Sequence, residues 1–183
     1  MPRYVAFLRA INVGSHVVKM DRLRALFTEM GYTDVETFIA SGNVVFTSPA
    51  RSGTPLEPVI AAALEQALGY EVATFVRSVK ELREIADYRP FPETAVRAPG
   101  ASLYIGFLAE PLSPAAAKAL LAMRTRSDDL MPRGREVYWL GRRGFAEAEF
   151  STAQMEKKLK TLATFRNSTT VRKMAAKLAP AEE

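Results

Sequence analysis

Cysteine is absent from this chain of 183 residues, and histidine occurs once, as His16. Without cysteine the protein has no disulfide, no thiolate zinc site and no cysteine nucleophile. A single histidine leaves only carboxylates as companions in a zinc site. It also leaves one imidazole base for a serine nucleophile such as Ser41, which has no nucleophile-elbow sequence around it. We therefore expect no metal and no cofactor, and the sequence does not decide whether the protein is an enzyme.

The chain also lacks a long apolar run. No segment approaches the roughly 20 apolar residues that a transmembrane helix needs. The N-terminus has no basic segment followed by an apolar stretch and a small-residue cleavage site. With 48% hydrophobic and 25% charged residues, the composition is that of a globular protein. These features predict a soluble, cytoplasmic protein without membrane contact, and they leave its oligomeric state unknown.

Positive charge is concentrated near the C-terminus. The net charge is +5, and residues 156–177 contain seven basic residues and one acidic residue. This segment therefore carries +6 and the rest of the chain −1. A basic segment of this kind attracts phosphates and nucleic acid. The alternative is a helix face that is simply solvated.

Apolar periodicity predicts alternating strands and helices in the first half of the chain. The expected elements are a strand at 3–10, a helix at 20–30, a hairpin of strands at 35–40 and 43–47, a helix at 55–68, a strand at 72–77 and a helix after Ser78. The turn of the hairpin contains Ser41, Gly42 and Asn43, which suits a tight, glycine-dependent turn. This order is that of the βαββαβ unit of ferredoxin-like folds.

The second half follows a similar order. The expected elements are a strand at 102–109, a helix after Ser113, a hairpin of strands at 136–140 and 145–150, a helix after Ser151, a short strand or loop at 164–170 and a helix at 171–178. Residues 128–134 are expected to be irregular. We therefore predict an α+β fold with a duplicated ferredoxin-like βαββαβ unit. Each antiparallel sheet has helices packed on one face, and the two subdomains span residues 1–93 and 94–183.

Three stretches together resemble a known family. They are LRAINVG at residues 8–14, IASGNVVF at 39–46 and ATFRNSTTV at 163–171. They are similar to the domain-of-unknown-function family numbered 1697. The resemblance implies a duplicated α+β fold related to the ferredoxin-like plan, and it implies no established activity, substrate or cofactor. The chain departs from the family pattern at Ala10 and Ser15, where Gly is usual, and at Ser168, where Trp is usual.

The first candidate site is the loop after the first strand, which we call the Asn12 loop. Arg9, Asn12, Gly14 and Lys19 lie between a strand and a helix, where backbone N–H groups can hold an anion. The loop lacks the P-loop ending and the three-glycine dinucleotide pattern. The alternative is a structural turn in which Gly14 has positive φ and Asn12 bonds to backbone.

The hairpin turn is the second candidate. Ser41 and Asn43 can present a hydroxyl and an amide to a ligand at the turn. The structural alternative is that Gly42 and Asn43 satisfy the turn itself while Ser41 bonds to its own backbone. We expect the turn to matter to a ligand only if it faces the Asn12 loop or the Arg166 segment.

The third candidate is the segment of Thr164, Arg166 and Asn167. Arg can hold a phosphate or carboxylate with two parallel hydrogen bonds. The N-terminus of the helix that follows also attracts anions. The structural alternative is that Asn167 caps this helix and Arg166 pairs with an acid in the core wall.

Two further segments resemble the RNA-contacting strands of RNA-recognition motifs. They are LYIGFL at residues 103–108 and RGFAEAEF at 143–150, each predicted on the matching strand of a βαββαβ unit. However, Glu147 stands where an aromatic residue would stack on a base, and Glu149 adds a second carboxylate that repels phosphate. The sequence therefore favours shared topology over RNA binding as the explanation.

Three hypotheses for function follow. The first is a small protein that holds a phosphate-bearing ligand or nucleic acid in a basic cleft between its two halves. The second is an enzyme acting on a small anionic substrate, with Arg9 or Arg166 positioning it and Ser41 or Asn43 near the reacting atom. The third is a protein–protein interaction module that uses a free sheet surface or edge.

Overall fold

The computed structural model describes residues 1–39, 42–49 and 55–179. In chain order the elements are β1 (Arg3–Leu8), α1 (Met20–Glu29), β2 (Thr33–Thr37), β3 (Asn43–Thr47), α2 (Leu56–Leu68), β4 (Thr74–Ser78), α3 (Val79–Asp87), α4 (Glu93–Val96), β5 (Ser102–Phe107), α5 (Pro114–Leu121), β6 (Asp128–Arg133), β7 (Glu136–Gly141), α6 (Thr152–Leu159), β8 (Thr164–Asn167) and α7 (Ser168–Lys177). None of the helices in these ranges is long and apolar enough to cross a membrane.

The chain divides into two compact units. The first contains Met1–Arg83 together with the residues from Leu178 onward, and the second contains Glu84–Lys177. The subdomain boundary expected between residues 93 and 94 stays a prediction.

The two units have the same topology. Each has a four-stranded antiparallel sheet, with the order β2-β3-β1-β4 in the first and β6-β7-β5-β8 in the second. The chain runs strand, helix, strand, strand, helix, strand in both, and a helix follows the last strand directly in each. The predicted α+β fold with a duplicated βαββαβ unit is therefore confirmed.

The core of the first unit lies between its sheet and two helices. Alternate residues of β1, Ala6 and Leu8, face the same side of the sheet because side chains alternate along a strand. They belong to one buried cluster with Phe27 of α1 and with Ile60 and Leu64 of α2. The four-residue spacing of Ile60 and Leu64 places both on one face of α2. Each of these large side chains contributes about 1.5–3 kcal/mol by leaving water.

The core of the second unit is built in the same way around the only tryptophan. Trp139 of β7 packs with Leu108, with Leu120 of α5 and with Met155 of α6. On β5, a Cβ at Gly106 would lie 2.6 Å from ring atoms of Phe165. Gly106 is therefore needed for the aromatic ring on β8 to lie against the neighbouring strand.

The serines predicted to begin helices do so. The Ser78 N–H donates to Glu81 Oε2 (2.8 Å) and the Glu81 N–H donates to Ser78 Oγ (3.2 Å), a reciprocal capping box. Ser113 and Ser151 each accept a hydrogen bond from the backbone N–H three residues on. Each such cap contributes about 1 kcal/mol to helix stability.

One predicted hairpin is wrong. Residues 145–150 do not form a strand, and residues 128–134 are not irregular, because β6 (Asp128–Arg133) pairs with β7 across the two-residue turn at Gly134 and Arg135. The first residues of β6 are polar, so this strand lacks the apolar–polar alternation from which a strand is predicted. The segment that follows β7 instead folds over the sheet and is held there by a buried carboxylate.

That carboxylate belongs to Asp128, which is 1% exposed. It accepts hydrogen bonds from Trp139 Nε1 (2.8 Å), Thr125 Oγ1 (2.8 Å) and the backbone N–H groups of Glu149 and Phe150 (3.0 Å each). Burial alone would raise the pKa of Asp128, but these hydrogen bonds favour its charged form and the net shift lowers the pKa. One side chain thus joins β6, β7 and the segment before α6.

Replacing this carboxylate tests its role. We expect Asp128→Asn to lower the free energy of unfolding by about 2–3 kcal/mol, because an amide cannot accept all of these bonds in a buried site. Urea unfolding followed by Trp139 fluorescence measures the loss. Since the folded-state pKa is lowered, the carboxylate contributes above the ordinary pKa of aspartate, and its contribution is lost as the pH falls through the folded-state value. Asp34→Asn, an exposed control, should change stability by less than about 0.5 kcal/mol. Equal stability of Asp128→Asn and the wild type would contradict this account.

Candidate functional site

Three connections meet at one end of the first sheet. They are residues 9–19 between β1 and α1, residues 38–42 between β2 and β3, and residues 69–73 between α2 and β4. The Leu8 N–H donates to Gly42 O (2.8 Å), and the Arg9 N–H donates to Ala73 O (2.9 Å). We call these three connections the loop end. The hairpin turn therefore lies beside the Asn12 loop, as its predicted functional role requires.

Residues in left-handed conformation gather at the loop end. They are Ala10 (φ 60°), Asn12 (φ 57°), Gly14 (φ 61°), Ile39 (φ 55°), Gly42 (φ 73°) and Gly69 (φ 79°). Outside glycine this conformation is uncommon, and for a β-branched residue such as Ile39 it is an outlier. Strained backbone of this kind costs about 1–3 kcal/mol per residue and clusters at functional sites.

Asn12 and Gly14 shape the Asn12 loop. Asn12 Oδ1 accepts a hydrogen bond from the Val18 N–H (2.8 Å), which closes the loop. The His16 N–H donates to Val13 O (3.1 Å) across a tight turn that contains Gly14. Both structural features expected of this loop, positive φ at Gly14 and a backbone bond from Asn12, are present. They leave the backbone N–H groups of residues 10–12, 14 and 15 available.

Most of the backbone N–H groups of residues 10–15 are unused. Within the described ranges, those of residues 10–12, 14 and 15 donate no hydrogen bond, while Val13 is bridged to His16. Residues 12–15 are exposed, so water is the alternative partner of their N–H groups. The half-buried Arg9 precedes these residues, and the exposed Lys19 follows them at the start of α1. The loop thus places unused donors between two cations.

Asn43 has a structural role in the hairpin turn. Asn43 is 1% exposed. Its side-chain Nδ2 donates to Phe38 O (3.0 Å), and its backbone carbonyl accepts from the Phe38 N–H (3.0 Å). It therefore closes the turn, as the structural alternative predicted. A Cβ at Gly42 would lie 3.0 Å from Leu8 O, so only glycine fits there. Ser41 lies outside the described residues.

An aromatic pair that sequence reasoning missed ties the loop end together. His16 stacks on Tyr70 with ring centroids 3.8 Å apart and an interplanar angle of 10°. Tyr70 lies between α2 and β4, so the pair joins two of the three connections. Burial raises the pKa of Tyr70, and its Oη is buried without a hydrogen-bond partner. No periodic pattern marks either residue.

The third candidate segment lies in the second unit. One Arg166 nitrogen, Nη1, donates to Thr164 Oγ1 (2.7 Å) and to Phe165 O (3.0 Å), and Asn167 Oδ1 accepts from the Thr169 N–H (2.9 Å). Burial lowers the pKa of Arg166 to about 10. Thr164, Arg166 and Asn167 thus all form hydrogen bonds within β8 or to the start of α7.

Arg166 has a counterpart in the first unit that the sequence did not indicate. Arg77 lies opposite Val5 on β1, and Arg166 lies opposite Ile105 on β5, at matching positions of the two sheets. Arg77 is 1% exposed and, like Arg166, donates from Nη1 to the carbonyl of the preceding residue (2.9 Å). It also lies 3.5 Å from Glu57 Oε1. An arginine whose Nη1 donates to the preceding carbonyl is therefore a repeated feature of the fold at this position.

The two units differ at the loop end. In the first unit, eleven residues (9–19) join the first strand to its helix, and five (38–42) join the hairpin strands. In the second unit the matching connections have six residues (108–113) and two (134–135). Among the described residues of these two shorter connections, Gly134 alone has positive φ. Extension and backbone strain thus occur together in one copy of the repeat.

The segments that resemble RNA-recognition strands do not share a sheet surface. Residues 143–150 lie outside any strand. Tyr104 packs against Trp139 on the side of the sheet that the helices cover (ring centroids 4.8 Å apart). The expectation that both segments lie on matching strands is therefore wrong for the second one.

Two of the surface pockets lie in the first unit, away from the predicted site residues. Their volumes are about 420 and 350 Å³, and Met30 lines both. Neither is lined by a predicted site residue. In the part of the chain that the structure describes, no group of three or more histidine and acidic side chains is arranged to hold a metal.

Comparison with known proteins identifies the family. A family model described as a protein of unknown function, DUF1697, matches residues 1–138. The chain belongs to this family. It is also similar in structure to a conserved bacterial protein from Streptococcus pneumoniae, with 24% identity and a TM-score of 0.69 over 97% of this chain and 98% of that one. At this identity the likeness shows the fold alone. None of the curated proteins compared with the chain matches it.

The DUF1697 match includes the whole loop end and stops before residues 163–171. The resemblance described above predicts glycine at position 10, where this chain has Ala10 in left-handed conformation. We expect Ala10→Gly to stabilise the protein by about 0.5–1 kcal/mol, because relief of strain exceeds the added entropy of the unfolded chain. Thermal unfolding measures the change. The matched control, Ala62→Gly on the exposed face of α2, should destabilise by about 1 kcal/mol. Destabilisation by both changes would refute strain at Ala10.

Proposed function

We propose that the loop end binds a phosphate-bearing ligand through the backbone of residues 10–15. The observation that carries this proposal is that the N–H groups of residues 10–12, 14 and 15 donate no hydrogen bond to any described residue. Successive backbone N–H groups in turn conformations form concave sites for anions. Lys19 adds a positive charge at the end of this loop.

The chemistry of such a site suits phosphate. Phosphate has several strong acceptor oxygens, so it can use more than one N–H group at once. Because the loop conformation is fixed by Asn12 and by the tight turn at Gly14, little backbone entropy is lost on binding.

The second unit supports the proposal as an internal comparison. Its matching connections are short, and they keep the same topology. The fold itself therefore does not need eleven residues between the first strand and its helix, or strained residues in the hairpin turn. Loops that are extended beyond the needs of a scaffold are where binding residues usually lie.

The other candidate sites and functions stay predictions. Thr164, Arg166 and Asn167 form structural contacts, which support the structural alternative for this segment. Nucleic acid as the ligand, a cleft between the two halves, catalysis on a small anionic substrate and a protein–protein role all remain alternatives to the proposal. Against pairing at the outer strands, β2 has a register shift next to Asp34, and β6 contains Pro132.

Calorimetric titration tests the proposal with inorganic phosphate, a nucleoside monophosphate and a short single-stranded RNA as probes. We expect the double variant Arg9→Ala, Lys19→Ala to bind phosphate and the nucleotide about tenfold or more weakly, because two favourable charges are lost. Lys118→Ala, Lys157→Ala removes the same charge from exposed positions on α5 and α6 and should bind as the wild type does.

A charge reversal keeps the test independent of folding. Lys19 is exposed, so Lys19→Glu should leave the unfolding temperature nearly unchanged while weakening phosphate binding further. Absence of phosphate binding, or equal losses in both double variants, would exclude the proposal. A loss on Arg166→Ala alone would move the site to β8. RNA binding far tighter than nucleotide binding would favour the nucleic-acid alternative.

A further inference from the structure

We infer that the ligand of the loop end carries an apolar group next to its phosphate, an inference that rests on the proposed function. The chemistry is that of a phosphate ester of an apolar alcohol, either free or as a lipid headgroup. The observation is a set of exposed aliphatic side chains at the loop end. Val13, Val17 and Ile39 are 63%, 77% and 57% exposed.

Ile39 is the side chain that most strongly indicates an apolar group on the ligand. A β-branched residue in left-handed conformation is strained, and Asn or Gly would satisfy this position in the turn better. Its side chain is also mostly in water, so burial in the core does not compensate for the strain. Neither the backbone nor the core of the first unit explains an isoleucine here. A ligand that covers the side chain would explain it.

Val13 and Val17 flank the donors that the proposed function uses. Val13 lies between the unused N–H groups of Asn12 and Gly14, and it is bridged to His16 across the tight turn. Val17 follows His16 directly. The loop therefore offers apolar side chains and unused N–H groups from the same few residues. A phosphate bound to those N–H groups would have its ester group within reach of these side chains.

The buried floor of the loop end has the same character. Ile11, which is buried, packs against the turn, since a Cβ at Gly42 would lie 3.2 Å from Ile11 Cβ. The stacked rings of His16 and Tyr70 also belong to the loop end. A sugar or glycerol group would leave its hydroxyls without partners against such aliphatic surfaces. An alkyl group would instead be removed from water.

Titration with inorganic phosphate, glycerol phosphate and hexyl phosphate tests the inference. We expect hexyl phosphate to bind about tenfold or more tightly than the other two, because several methylene groups leave water. In Ile39→Asn this preference should fall to about a third or less, and the unfolding temperature should stay equal or rise, since Asn tolerates left-handed conformation. The matched control is Val59→Asn on α2, where Val59 is 54% exposed, and the preference should be unchanged there.

Vesicles of phosphatidylcholine with phosphatidic acid distinguish the two sources of this chemistry. Binding of hexyl phosphate without binding of vesicles assigns a free phosphate ester, and binding of vesicles that Ile39→Asn abolishes assigns a lipid headgroup. Equal affinities for the three soluble phosphates, without vesicle binding, would overturn the inference and leave the proposed function standing. A preference that Val59→Asn lowers as much as Ile39→Asn would also overturn it. If neither the soluble phosphates nor the vesicles bind, the proposed function itself fails.

Discussion

The arrangement of the loop end depends on one close contact between β1 and the hairpin turn. The Leu8 N–H donates to Gly42 O over 2.8 Å, and the Gly42 backbone approaches Leu8 so closely that a Cβ would lie 3.0 Å from Leu8 O. Only glycine in left-handed conformation permits this approach. Because β1 is a central strand that pairs with β3 and β4, fixing the turn on its end also fixes the start of the Asn12 loop. The hairpin thus has a structural role, and this contact also places its turn beside the candidate site.

The duplication separates what the fold needs from what a ligand would need. Both units keep the strand order, the helix after the last strand and an arginine whose Nη1 donates to the preceding carbonyl. These shared features are explained by packing and hydrogen bonding alone. The long Asn12 loop and the strained residues Ala10 and Ile39 occur in the first unit and have no such explanation in the fold. The case for a site therefore rests on the difference between the copies.

Much of this structure was predictable because its signals are local. Alternation along β1, the four-residue spacing of Ile60 and Leu64, and the cap formed by Ser78 and Glu81 each need only a few neighbouring residues. The second hairpin was predicted wrongly because its outer strand begins with the polar Asp128. The partners of that carboxylate, such as Trp139 and the backbone of Phe150, are distant in sequence.

The candidate site was only partly predictable for the same reason. Gly14 and Asn12 predict a turn, because glycine and asparagine are common turn residues. No residue-type signal marks left-handed conformation at Ala10 or Ile39, and none marks the stacking of His16 on Tyr70, since tertiary contacts impose both. Arg166 is strongly patterned, but a single sequence does not show that Arg77 occupies the same position in the other sheet.

The central claim is that the backbone of residues 10–15 binds phosphate, and amide NMR observes those atoms directly. Titrating the ¹⁵N-labelled protein with phosphate should shift the amide resonances of Ala10 to Ser15 together, along a single saturating curve. The matching residues of the second unit, 108–113, should stay unchanged in the same spectra. Saturating shifts at Arg166 and the start of α7, with residues 10–15 unmoved, would contradict the account.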